Sequence, residues 1–354
     1  MERIDFETLL RDSLNSYAAK TATFNDKATV LICRATESKC FAEMSAQFNL
    51  IFDEKIFLDA ADKPPDVLRQ GTNYFFSNQV MSDDLYKRLL TAGADERQIY
   101  VGFTKDAYFD LYPKRHVIYE NLQKLDEVIN LLADEKSRRT FLKVITRLCL
   151  PYQWHYFYEP ADELQYFPKE FSFSNEEIFL DAGVCDGQNI FEFIERVNSE
   201  YKRIYGIEAD ASNFKLSEKN LAGVPKLELI RGALYSRQGE TLSFHSSIMT
   251  GKKGNARVQN DGDSFVKSIA GDALKYPPTF IKMDIEGAEK EALRGLEGTI
   301  KNYAPKLAIC VYHFQEDFWE IPLLIKKLNP RYKLFMRNYE RLFSLLETVC
   351  YACV

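Results

Sequence analysis

No run of Lys and Arg long enough to coat a phosphate backbone occurs in the 354 residues, and the formal net charge is −6. Nucleic-acid binding needs a basic footprint, so no nucleic-acid partner is expected. No stretch reaches the roughly 18 consecutive apolar residues of a membrane-crossing helix, so no membrane insertion is expected. The opening MERIDFETLLRDSL is charged throughout and lacks the apolar centre of a secretory signal. Cysteine is sparse and odd in number: Cys33, Cys40, Cys149, Cys185, Cys310, Cys350 and Cys353. Only Cys350 and Cys353 stand close together, and in their apolar run they read as core packing. Free thiols point to a reducing compartment, so the chain is expected in the cytoplasm. There is also no internal repeat and no low-complexity linker. What is present is a globular composition, 46% hydrophobic and 28% charged, at a length that accommodates two domains.

Two α/β segments are legible, separated by a helical and aromatic stretch. In the first, residues 1–118, the runs ATVLIC (Ala28–Cys33), KIFLDA (Lys55–Ala60), NYFFS (Asn73–Ser77) and QIYVG (Gln98–Gly102) read as strands. A helix is expected between the first two, to about Phe48, and another from a Ser82 cap to Ala92, stopped by Gly93. Strands alternating with helices imply a parallel sheet, so a smaller Rossmann-like or flavodoxin-like domain is expected. Residues 119–173 form a connector. Leu122, Leu125, Val128, Ile129 and Leu132 recur at helical spacing, and Pro151, Tyr152, Trp154, Tyr156, Phe157, Tyr158, Tyr166 and Phe167 follow. Those aromatics suit either packing between domains or a wall over an active site.

The second α/β segment, residues 174–354, carries the stronger signal. EIFLDAG (Glu177–Gly183), RIYGIEAD (Arg203–Asp210), KLELIRGAL (Lys226–Leu234), the start of TFIKMDIEGAE (Thr279–Glu289) and KLAICVYH (Lys306–His313) read as five strands with helices between them, one capped by Ser212. YKLFMRN (Tyr332–Asn338) and ETVCYACV (Glu347–Val354) close the chain, about eight residues apart. A parallel crossover needs about a dozen or more, so the final strand is expected to run antiparallel in a hairpin. The expected fold is thus a doubly wound Rossmann-like methyltransferase sheet with a terminal antiparallel hairpin. Phe244–Ser264 reads as a long polar loop between the third and fourth strands, oriented by Asp272.

DAGVCDGQ (Asp181–Gln188) lies where the first strand turns into a helix, at the edge where open α/β sheets bind ligands. Asp181, Ala182 and Gly183 form the turn, and Gly183 lets a ligand approach the backbone. Gly187 opens the helix, whose free N–H groups suit the carboxylate of a methionine moiety. A dinucleotide fingerprint would need glycine where Cys185 and Gln188 stand. The second of those glycines admits a pyrophosphate, which an S-adenosyl ligand lacks. A nicotinamide-dependent oxidoreductase is therefore the alternative, with a non-catalytic nucleotide-binding module as a third reading. Glu208, 25 residues after Gly183, ends the second strand with Ala209 and is placed to accept both ribose hydroxyls. Asp210 is the next candidate. Ala233, at the end of the third strand, would lie beside the adenine.

IFLDAGVCDG, IYGIEAD and FIKMDIEGAEKEALRG (Phe280–Gly295) resemble the FkbM family of methyltransferases, whose hallmark begins K-x-D-x-E-G-x-E. The resemblance covers Ile178 to Val354, with LAICVYH and the closing strands also similar. The stretch 119–176, with NLLADEKSRRTF, resembles the connector of longer relatives. The family's first loop is usually rich in Gly or Asn, and this chain departs from it at Cys185 and Asp186. The resemblance implies S-adenosylmethionine-dependent O-methylation of a small-molecule or carbohydrate acceptor, such as a sugar or glycan precursor. Alignment of acceptor and methyl would supply much of the catalysis, and a general base would help a poorly nucleophilic hydroxyl. Asp284 and His313 end the fourth and fifth strands at the same edge, and either can serve as base. Glu286 contacts the acceptor or orients the next helix, and Lys282 neutralises Asp284 or binds an acidic acceptor. Glu289 reads as structural, as do His116, His155 and His245. Asp284, Glu286 and His313 could instead hold a divalent cation, but no ligand-spacing motif supports one, so no metal is expected. Self-association stays open.

Overall fold

The computed structural model describes residues 3–21, 29–33, 42, 53–57, 72–77, 83–91, 93–95, 98–102, 115–150, 152–153, 163–245, 257–258, 264–339 and 347–354. The chain divides into two compact units. One comprises residues 1–130, 135–161 and 338–347, the other 131–134, 162–337 and 348–354. The stretch expected as a connector is thus divided: its helices Leu122–Leu131 and Glu135–Leu148 fall largely in the first unit.

In the first unit the apolar runs form strands where the sequence places them: β1 (Thr29–Cys33), β2 (Glu54–Phe57), β3 (Asn73–Ser77) and β4 (Ile99–Gly102). They pair in parallel, and a short β5 (Tyr152–Gln153) adds antiparallel to β4, giving the order β2-β1-β3-β4-β5. That is the flavodoxin-like strand order, with a reversed last strand. The helix Asp83–Thr91 precedes Gly93, as expected. The helix expected after β1 lies outside the described residues. Leu125, Val128, Ile129 and Leu132 are buried, which confirms the 3.6-residue periodicity.

The second unit is built on seven strands, here β6 (Ile178–Ala182), β7 (Arg203–Glu208), β8 (Leu227–Arg231), β13 (Phe280–Met283), β14 (Lys306–Cys310), β15 (Lys333–Asn338) and β16 (Thr348–Cys353), in the order β15-β16-β14-β13-β6-β7-β8. β6, β7, β8, β13 and β14 are parallel, and β16 runs antiparallel to β14, as the short connection requires. Strand order reverses between β6 and β13, so the ligand crevice is expected outside their carboxyl ends. The fold is the expected Rossmann-like methyltransferase fold.

Several expectations change in this unit. The third strand is broken at Gly232: β8 stays in the main sheet, while β9 (Ala233–Tyr235) joins β10 (Thr241–His245), β11 (Arg257–Val258) and β12 (Ser264–Ala270) in a second sheet. A Cβ on Gly232 would meet the Ile269 side chain at 2.4 Å, so a larger residue at the bend would have to displace it. The segment expected as a loop therefore contains strand, although most of 246–263 lies outside the described residues. Among the described residues, the Asp272 carboxylate accepts the Gly298 and Thr299 N–H groups at the start of the helix Glu297–Tyr303. Asp210, not Ser212, caps the helix Ala211–Asn220, by accepting from Ser212 and Asn213. In the described part of the aromatic stretch, Phe167, Phe171 and Phe173 are core packing, each within 6 Å of the Phe280 ring, whereas the Tyr166 hydroxyl reaches Asp284. The described cysteines are free thiols, Cys350 and Cys353 among them.

Candidate functional site

Four strand ends, of β6, β7, β13 and β14, bring the candidate residues to one edge. The β6 turn is built around a close backbone approach. Gly183 has φ +82°, and a Cβ on it would lie 1.9 Å from the Asp284 carbonyl oxygen. The Asp284 N–H donates to Ala182 O at 3.1 Å, tying the ends of β6 and β13 together. Ala182 is fully buried. Gly187, left-handed at φ 92°, is the N-cap of the helix Gln188–Arg196.

Glu208 ends β7 with its carboxylate buried, and it organises the loop from inside. Its Oε2 accepts the Cys185 N–H at 2.9 Å and its Oε1 the Asp210 N–H at 2.8 Å. Burial pushes its pKa up, against those two N–H groups. Each oxygen keeps a second lone pair, enough to receive one hydroxyl of a ribose. Asp210, the next ribose candidate, accepts the Ser212 and Asn213 N–H groups at Oδ1. Ala233 and half-buried Ala209 pack together with Val266 and Leu242. Cys185 is left-handed at φ 54°, and burial pushes its thiol up to about 11.

Asp181 and Lys282 prove to be partners. They are register neighbours on β6 and β13, their side chains are 0% and 1% exposed, and Lys282 Nζ lies 3.0 Å from Asp181 Oδ1. The ammonium also donates to Gly183 O at 2.7 Å and faces the Tyr166 ring at 5.2 Å. Burial works against its charge, but Asp181 and Asp284 outweigh it and hold the ammonium above its ordinary range. Both side chains are therefore buried as an internal strut between β6 and β13.

The remaining candidates form one cluster. Asp284 accepts the Tyr166 hydroxyl at Oδ2 and the Tyr312 hydroxyl at Oδ1, each at 3.0 Å. His313, 1% exposed, has Nε2 3.3 Å from Asp284 Oδ1 and 3.5 Å from Glu286 Oε2, and Nδ1 3.0 Å from Glu289 Oε1. Glu289 Oε1 also accepts the Ile285 N–H at 2.9 Å. For Asp284, burial raises the pKa, but His313, Lys282 and Tyr312 outweigh it and hold the carboxyl well below its usual range. For His313, burial lowers the pKa, and the surrounding Glu289, Asp284 and Glu286 carboxylates push it well above the ordinary value. Tyr166 (φ 70°) and Glu286 (φ 58°) are both non-glycine residues in the left-handed region, a strain that concentrates at functional sites. Asp317, next to this cluster, is pushed up to about 7 by burial, with Glu289 adding to the shift and Lys290 and His313 opposing it.

Tyr166, Tyr312 and Glu289 were not singled out by sequence. Tyr166 stood in the aromatic stretch without periodicity, and Glu289 on a helix face. Tyr312 adjoins His313, and a Tyr-His pair at a strand end was the available signal. In contrast, the Asp181–Lys282 strut had one: each is a lone charge in an apolar strand run, FLDA and FIKM.

A doubly wound sheet with a terminal antiparallel strand, a glycine turn at its switch point and an acidic residue ending the second strand define a methyltransferase of Rossmann-like fold. Residues 181–341 match the methyltransferase FkbM domain. That stretch is similar to FkbM methyltransferases, and the protein is an S-adenosylmethionine-dependent methyltransferase. The methyltransferase FkbM of Methylobacillus flagellatus KT shares the fold, with a TM-score of 0.62 and 17% identity over 98% of each chain. The precorrin-6y C5,15-methyltransferase of Geobacter metallireducens GS-15 aligns over 51% of this chain and 82% of its own, at 11% identity and a TM-score of 0.33. The Aeropyrum pernix fibrillarin, solved with natively bound S-adenosyl-L-methionine, aligns over 51% and 66%, at 8% identity and 0.32. No curated protein matches the chain. Among the described residues, no helix is long and apolar enough to cross a membrane.

Proposed function

We propose that this methyltransferase methylates a hydroxyl of a sugar, glycan precursor or related small molecule. The observation that carries the reading is the grouping of Asp284, Glu286 and His313 at the edge beside the Gly183 turn. When bound, S-adenosylmethionine supplies a methyl group already activated by its sulfonium. Glu208 receives the ribose hydroxyls through its remaining lone pairs. The Asp181–Gly187 turn takes the methionine end, and Ala209 and Ala233 border the adenine. Lys282 acts from beneath, fixing the Gly183 carbonyl.

At the acceptor edge, Asp284 and Glu286 offer carboxylate oxygens to a sugar hydroxyl. Asp284 is aimed by two tyrosine hydroxyls, so an acceptor bound to it is held in a single orientation, and that alignment is the main catalytic contribution. A histidine flanked by three carboxylates favours its charged form. His313 therefore serves better to fix Asp284 and Glu286 than to take a proton, and a carboxylate is the better base. Free thiols support the cytoplasmic expectation. The experiment is a thermal-shift comparison with S-adenosylhomocysteine and NADH, followed by transfer of labelled methyl to a panel of methyl glycosides and amines. Stabilisation by S-adenosylhomocysteine of roughly 2.7 kcal/mol is expected at about 100 times its Kd. Labelling of amines and not of hydroxyls would overturn the O-methyl assignment.

A further inference from the structure

Asp284, Glu289 and His313 present ligand atoms that all lie within 4.8 Å of one another. Two carboxylates and an imidazole of this kind suit a divalent first-row cation better than a softer or purely oxygen-seeking one. The cluster is more than a group of acidic side chains, for three reasons. First, His313 brings a nitrogen ligand that is almost wholly buried. Second, Glu289 is fully buried, yet its Oε2 has no hydrogen-bond partner among the described residues. A carboxylate oxygen left so is costly unless a cation or donor reaches it. Third, the neighbouring lysines are engaged elsewhere: Lys282 with Asp181 at 3.0 Å, and Lys290 with Asp317 at 3.2 Å and Glu320 at 2.7 Å. The outer contacts also fit, because ligating carboxylates are themselves held by further hydrogen bonds. Tyr166 and Tyr312 hold Asp284, and the Ile285 N–H holds Glu289.

We infer that Asp284, Glu289 and His313 bind a divalent cation of the manganese type at the carboxyl edge of β13 and β14, with His313 releasing a proton to the solvent as it ligates. Glu286, 3.5 Å from His313 Nε2, borders the same position. The cation would polarise an acceptor hydroxyl and lower its pKa, doing the work that a base otherwise does. That use rests on the methyltransferase reading above, whereas the binding itself does not.

The test is titration of the full chain with Mn2+, followed by the loss of the free-ion EPR signal, with S-adenosylhomocysteine thermal shift on the same samples. One Mn2+ per chain is expected for the wild type. Uptake should be lost in His313→Gln and weakened at least about tenfold in Asp284→Asn, with Glu228→Gln, on the exposed β8 surface, as an unaffected control. Glu289→Gln is buried and could unfold the chain, so the partly exposed Asp284 carries the result. Absence of stoichiometric uptake by the wild type overturns the inference. So does uptake that neither Asp284→Asn nor His313→Gln changes. Stabilisation by S-adenosylhomocysteine without manganese uptake overturns the cation and leaves the methyltransferase reading standing.

Discussion

Replacing Lys282 by Met removes the only charge that, among the described residues, faces the fully buried Asp181 carboxylate at salt-bridge distance, 3.0 Å away. Breaking a buried pair from one side leaves an uncompensated charge and costs about 3–5 kcal/mol. At roughly 2–4 °C per kcal/mol for a unit of this size, the unfolding midpoint should fall by about 6–20 °C. The double variant Asp181→Leu, Lys282→Met should recover most of that loss, since replacing both charges by apolar groups is often neutral or better. The sign with pH is also set. Lys282 is held above its ordinary range, so its contribution is constant across neutral pH and fades only in strong alkali. Because the same ammonium donates to Gly183 O, the variant should also lose stabilisation by S-adenosylhomocysteine. The assay is thermal unfolding of wild type, single and double variants, with and without that ligand. Wild-type stability in Lys282→Met, with only acceptor turnover reduced, would refute the strut and restore Lys282 as a substrate contact.

Glu208→Ala should weaken S-adenosylhomocysteine binding, measured by calorimetry, because it removes the ribose acceptor and releases the Cys185 N–H; unchanged affinity would refute the ribose role. Gly183→Ala should destabilise the unit by more than the ~1–2 kcal/mol of a left-handed non-glycine residue, since its Cβ would also collide with the Asp284 carbonyl, as read from urea denaturation. Asp317→Asn should stabilise the protein increasingly from pH 5 to pH 8. The folded state raises this pKa from about 4 to about 7, so ionisation costs stability as pH rises, up to roughly 4 kcal/mol above the upper value. A gain that is flat with pH in melts at the two values would contradict that burial.

Much of the architecture follows from local chemistry in the chain. Apolar β-branched runs such as TVLIC and FIKM can satisfy both faces only inside a parallel sheet, and they form β1 and β13. The eight-residue connection before the last strand excludes a parallel crossover, so β16 is antiparallel. The glycine turn at Gly183 and the acidic end of β7 at Glu208 are likewise legible, because their spacing is set within a single strand-turn-helix unit. The tertiary structure decided which side chains meet. Asp181 faces Lys282 because β6 lies beside β13 in a particular register, although they stand 101 positions apart. Tyr166 reaches Asp284 across 118 positions, and Glu289 and His313 meet from different elements. A one-residue change of register would turn these side chains to the other face, and no local pattern encodes that choice. The sequence by itself thus determined the strands, the glycine turn and the resemblance to FkbM methyltransferases; the burial of Lys282 and the joining of Asp284, Glu289 and His313 came only with the packing of the sheet.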